Sequence, residues 1–208
     1  MSIKGKIEKV GKKIKKAAKV LTGEEGLDKV FSSTRTFDHD ALARGEYLNA
    51  RERLFNVNGW TEHAQIANSS FQLYDKSGKE VDRTVEPGDF IKITIPGPFP
   101  ENWVKVLNKK DGESFCEFTV RPSNNPIDPD AEKVEHFFKD DARSIFRVQR
   151  KANSLSAFEF GKDEAPNIEQ PQAGDRALIN LGINIGGWLG FQKIQWQKLT
   201  DYLVGLTD

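Results

Sequence analysis

The sequence predicts an α+β domain: a predominantly antiparallel, curved sheet packed on a long C-terminal helix, with an amphipathic helix appended at the N-terminus. Three observations carry this expectation. Between Ser70 and Phe160, apolar and polar residues alternate in short runs bounded by Gly, Pro, Asn and Asp, the period-two signature of half-buried strands joined by hairpins. From Phe191 to Leu206 the apolar spacing lengthens to three and four, as on one face of a helix. The same spacing occurs over Met1–Leu21, embedded among lysines.

In that first segment Ile3, Ile7, Val10, Ile14, Ala18 and Leu21 fall on one helical stripe, while Lys12, Lys13, Lys15, Lys16 and four further lysines occupy the rest of the circumference. Gly5 and Gly11 each lower helicity by about 1 kcal/mol relative to alanine. With like charges also crowded on its polar side, this helix needs a surface against its apolar stripe. Gly23 and Gly26 supply a hinge, so residues 1–25 read as a basic helix and hinge and residues 26–208 as a single α+β domain.

Within the body, a strand is expected over Val30–Phe37. A helix follows to about Phe55, capped by Asp38 or Asp40, with Ala41, Leu42, Leu48 and Leu54 or Phe55 available for burial. Trp60–Ile66 reads as a brief helix or packed loop. Phe71 and Leu73 precede a turn at Asp75–Gly78, and Pro87-Gly88 introduces a strand from Phe90 to Ile95. Two hairpins follow: Trp103–Leu107 with Phe115–Val120, and Arg143–Arg150 with Leu155–Phe160. A short helix is expected from Asp130 to Phe138 between them. Trp196, Leu199, Leu203 and Leu206, flanked by Ile194 and Tyr202, form the apolar face of the last helix.

Charge and composition narrow the function classes. The chain is formally neutral, but Met1–Leu21 holds eight lysines against the lone Glu8, a net of +7, which leaves −7 on the remainder. An acidic body argues against a general nucleic-acid binder, because phosphate contacts need concentrated positive charge. The single Cys116 excludes an internal disulfide, and the absence of a secretory signal pattern points to a reducing, cytoplasmic home, peripheral to a membrane or within a large complex. Cys116 alternates with Phe118 and Val120 and reads as a buried thiol. His39, His63 and His136 lack metal-ligand spacing, so no metal site is expected. The glycines at 182, 186, 187 and 190 lack the Lys and Ser/Thr of a phosphate loop, and no nucleotide or other cofactor is expected.

The element order, with its several antiparallel strands followed by a long last helix, resembles that of helix-grip proteins of the START-like and polyketide-cyclase-like kind over roughly residues 28–206. That resemblance implies a sheet wrapped around the last helix with an apolar cavity between them. Trp103, Trp188 and Phe158 are the candidate lining residues. Arg147 and Glu159, on the two strands of the last hairpin, are candidates for orienting a ligand, or for a cross-strand ion pair with no further role.

Two function classes remain open at this stage. One is a non-enzymatic binding or adaptor protein, or an assembly subunit, whose stripe and lysines dock on a protein partner or an anionic membrane surface, with room for an apolar small molecule. The other is an enzyme acting on a small apolar ligand in a helix-grip-like cavity. No residue is nominated as catalytic.

Overall fold

The computed structural model describes residues 27–63, 69–95, 102–128, 141–164 and 185–207. Only the backbone is described at Leu27, His63, Glu164 and residues 185–193. The N-terminal amphipathic segment, Ile3 to Leu21 with Lys12, Lys13, Lys15 and Lys16, lies outside the described residues, as does the helix expected from Asp130.

Seven strands form one antiparallel sheet: β1 (Leu27–Thr36), β2 (Ser70–Tyr74), β3 (Phe90–Thr94), β4 (Asn102–Asp111), β5 (Phe115–Pro122), β6 (Arg143–Lys151) and β7 (Ser154–Glu164). The spatial order is β1-β7-β6-β5-β4-β3-β2. Every sequential pair from β2 to β7 is therefore a neighbour, and β1 returns to close on β7. Two helices, α1 (Asp40–Phe55) and α2 (Trp60–His63), intervene between β1 and β2, and α3 (Ile185–Leu203) follows β7. The α+β class and the antiparallel sheet with a packed C-terminal helix are as expected from the sequence.

Alternation assigns the faces. Leu73, Ile91, Val104, Val106, Cys116, Phe118, Val120, Phe146, Val148, Leu155 and Ala157 point to one side and join Tyr47, Leu54, Trp60, Trp196, Leu199 and Leu203 of the helices in a single core. At its centre, aromatic rings interlock. Trp60 meets Phe71, Phe118 and Phe146 with centroids 5.5, 5.9 and 5.2 Å apart, and Trp196 meets Phe146 at 5.4 Å. Such pairs add about 0.5–1.5 kcal/mol each beyond the area they bury.

Helix α1 differs from expectation in two respects. Its N-cap is His39, in extended conformation and without a side-chain cap. Asp40 instead sits in the first turn and accepts a 2.6 Å hydrogen bond from Arg150 Nη1. The buried face is Ala43, Tyr47, Ala50 and Leu54, and the leucines expected inside, Leu42 and Leu48, are 55% and 59% exposed. The reason is the anchoring of the helix across the sheet, by Tyr47 Oη to the Gly112 carbonyl and by Arg51 to Asp111, which turns the small alanines inward where the helix lies close. In α3, Ile194 is likewise 55% exposed, and Leu206 falls beyond the helix end.

The connections sort by end. At the turn end lie the β4–β5 and β6–β7 turns, the β2–β3 connection and the C-terminus of α3, where Arg35 Nη1 donates to the Gly205 carbonyl at 2.9 Å. At the other, loop end lie the strand ends Leu27, Ser70, Thr94, Asn102, Pro122, Arg143 and Glu164. This polarity follows from the strand order and positions the site.

Candidate functional site

The space between the sheet and α3 is built in cross-strand rows. One row on the helix-facing side runs Phe118, Phe146, Glu159, Phe31 across β5, β6, β7 and β1. The next row toward the loop end runs Val120, Ser144, Gly161, Lys29. Bulk therefore falls sharply over one step: where the first row carries a phenyl ring and a carboxylate, the second carries a hydroxymethyl group and a hydrogen. Among the described side chains, the second row is the smaller on β6 and β7.

Polar groups converge on the same region. Glu159 is fully buried, set between Phe146 and Phe31 by register. Trp196 packs on Phe146, yet its Nε1 hydrogen has no hydrogen-bond partner, although the residue is only 7% exposed. Gln195, 2% exposed, leaves its Nε2 without a partner, and so does the Ser69 hydroxyl, which lies two residues before Phe71 and on its face. Buried donors are nearly always bonded, and one left unmade costs about 1–3 kcal/mol. Gln195 and Trp196 are consecutive on α3, about 100° apart around its axis, and each carries a buried donor without a partner.

On its other flank α3 is satisfied. Ser33 Oγ of β1 lies 2.8 Å from Thr200 Oγ1 and accepts from Gln197 Nε2 at 2.8 Å, which ties the helix to the sheet edge. The bonded β1 flank contrasts with the unbonded donors at Gln195 and Trp196.

Of the residues selected from sequence whose side chains are described, Glu159 faces the helices. The expected Arg147–Glu159 pair does not form. Register sets Arg147 opposite Phe158 and Glu159 opposite Phe146, and an offset of one residue places the two on opposite faces of the sheet. Arg147 instead bonds Glu117 on the outer face, and its guanidinium lies over the Phe115 and Phe160 rings. Burial raises the Glu117 carboxyl, but Lys110 and Arg147 outweigh it and hold the group below its ordinary range.

Phe158 is also on the outer face, stacked on Phe160 at 5.4 Å. Trp103 is fully buried there beside Tyr74 and Phe90, three strands away, because it alternates with the core residues Val104 and Val106. Neither lines the space under α3. Trp188 belongs to α3, but its side chain lies outside the described residues. Gln195 and Ser69 were not selected from sequence, and Trp196 fills the core as its place on the apolar face of the last helix implies.

Cys116 is buried as its alternation implied, and burial pushes its thiol up to about 11, which leaves it a core residue without nucleophilic character. Among the described residues no group of three or more His, Cys, Asp or Glu is placed to hold a metal ion, and no helix is long and apolar enough to cross a membrane.

No family model matches the chain, and no curated protein does. Among solved structures, a hypothetical protein from Helicobacter pylori aligns over 92% of this chain and 94% of its own, with a TM-score of 0.56 and 11% identity, and shows the same fold. Ara h 8.0201 aligns over 86% of this chain and 97% of its own with a TM-score of 0.42 and 8% identity. Norcoclaurine synthase from Thalictrum flavum, in complex with dopamine and hydroxybenzaldehyde, covers 88% of each chain with a TM-score of 0.39 and 13% identity.

Proposed function

We propose that the chain is a helix-grip binding protein that holds a small, largely apolar molecule bearing an acceptor oxygen, under the N-terminal half of α3. The observation that carries this reading is the pair of buried, unbonded donors, Gln195 Nε2 and Trp196 Nε1, beside an aromatic wall. Apolar contact with Phe146, Phe71 and Trp196 supplies most of the affinity and the two donors fix orientation, the usual division of labour in small-molecule sites. This reading seats the molecule next to the small Ser144 and Gly161, which are paired one row beyond Phe146 and Glu159.

The test is titration with the fluorescent apolar probe anilinonaphthalene sulfonate, comparing the natural protein with Ser144→Phe. The added ring fills the row next to Phe146 and lowers probe affinity by about tenfold or more, the cost of overpacking by a ring. Equal binding by a folded Ser144→Phe protein refutes the interior site. The alternative of an enzyme would place Glu159 as the ionisable group beside the ligand. The non-enzymatic reading is preferred because the observation that carries it, a pair of buried unbonded donors, asks only for binding.

A further inference from the structure

Helix α1 turns to solvent a second face that the fold does not use. At about 100° per residue, the buried Ala43, Tyr47, Ala50 and Leu54 fall within about 60° of one another. Ala41, Gly45, Leu48 and Glu52 fall within about 60° on the opposite side, and all four are exposed. Leu48 is 59% exposed and Leu42, at the edge of the same face, 55%. A surface helix ordinarily carries polar residues there.

Gly45 is the informative residue. It sits inside the helix, where glycine costs stability relative to alanine. Its φ is not positive, and a Cβ built on it would meet nothing within 4 Å. Neither backbone conformation nor packing within the chain calls for a glycine here, whereas close approach of another backbone does. Gly45 also lies in a surface hollow of about 440 Å³, lined among the described residues by Asp40, Ala41, Arg44 and Leu48 as well.

We infer that this face binds a second copy of the chain, with the two α1 helices antiparallel and Leu48 of each copy seated in the hollow over Gly45 of the other. A dyad midway between Gly45 and Leu48 sets those two residues level, and Ala41 level with Glu52 of the other copy. Arg44, 70% exposed and 3.7 Å from its own Asp40, comes within three residues of that same Glu52, about 4.5 Å along the axis. Knob, hole, cation and anion are thus all present on one helix, the self-complementarity that an isologous contact requires. Arg44 and Glu52 also weigh against a bilayer, which would have to bury both. One pair of 16-residue helices buries less than the about 1,200 Å² of a stable interface, so dimer and monomer exchange at micromolar concentration. The contact lies on the side of α1 away from the core and does not rest on the interior ligand.

The experiment is sedimentation equilibrium of the full chain across micromolar concentrations, with melting temperatures taken at the dilute, monomeric end. The mass is expected to rise from one chain to two. Leu48→Lys raises the dimer dissociation constant about tenfold or more and leaves the melting temperature unchanged. Gly45→Gln fills the hollow and weakens the dimer likewise, while its better helix propensity raises the melting temperature by roughly 2–4 °C. Arg44→Glu weakens association, and adding Glu52→Arg restores it. Those two positions stand about 12 Å apart on one helix and can compensate only between copies. A chain that stays monomeric throughout, undiminished association of Gly45→Gln, or no rescue by the double reversal overturns the inference. So does a Leu48→Lys chain with a lowered melting temperature, which would show the face to be covered by its own chain.

Discussion

Replacing Gln195 by leucine separates a ligand-directed amide from a structural one. The side chain is 2% exposed and its Nε2 hydrogens reach no acceptor, so the folded protein bears the desolvation cost of an amide without the compensating bond, about 1–3 kcal/mol. Leucine has a similar volume and equal helix propensity, and it removes that cost while adding apolar contact. Gln195→Leu is therefore expected to stabilise the empty protein by about 1–3 kcal/mol, seen in urea as a higher midpoint with an unchanged slope. At about 2–4 °C per kcal/mol for a chain of this size, the melting temperature rises by roughly 2–12 °C. Probe binding driven by apolar contact persists in this variant. A stability loss of about 1 kcal/mol or more would show that the amide makes favourable contacts within the fold, and the argument for a poised donor pair would fail.

Other outcomes follow from the same structure. Cys116 reacts with a disulfide reagent only after denaturant is added, since its buried thiol titrates near 11, and rapid labelling of the native protein would contradict this. The Glu117 and Asp111 carboxyls are held low in the folded state, by Lys110 and Arg147 against burial and by the Arg51 hydrogen bond respectively. Their stabilising contribution is complete above the ordinary carboxylate range, about pH 4, and is lost as pH falls through the depressed values. Glu117→Gln should flatten that acid slope in urea titrations repeated across pH. Ser33→Ala removes the hydroxyl that tethers α3 to β1 and costs about 1–2 kcal/mol by chemical denaturation. Phe146→Ala opens the centre of the aromatic cluster and costs about 3–5 kcal/mol.

The fold was legible because its strongest signals are local. Ile91 and Ile93, the Cys116–Val120 alternation and the Trp196–Leu203 spacing each declare a period, and the turn at Asp75 declares itself through a side chain that bonds the Ser77 and Lys79 amides. The site was less legible because it depends on register and on which flank of α3 faces where. Arg147 and Glu159 looked like partners in a hairpin of the right length, but one residue of offset decides the face, and the two-residue turn at Ala152 and Asn153, which pairs Lys151 with Ser154, sets that offset. Trp103 was misplaced for the same reason: its alternation with Val104 was visible, yet which of the two faces the helices depends on how β4 pairs with Ile91. Gln195 carried no sequence alarm, since an isolated glutamine is ordinary on a helix until its burial is known.

The same dependence on register explains why charge summed over the chain was a poor guide to its surfaces. The body beyond Leu21 sums to −7, which argued against a general nucleic-acid binder. A sum carries no direction, whereas a pleated strand sends alternate residues to opposite sides. Lys105, Arg121, Arg143 and Lys162 stand far apart in sequence, and only antiparallel pairing brings them into one line. Acidic residues such as Asp40, Glu46, Asp89 and Asp111 are engaged with arginines on or beside the helices and the turn end, while the exposed Asp28, Asp141 and Asp163 stand close to that line at the loop end. Which sign a surface presents is therefore settled by pairing and not by the sum.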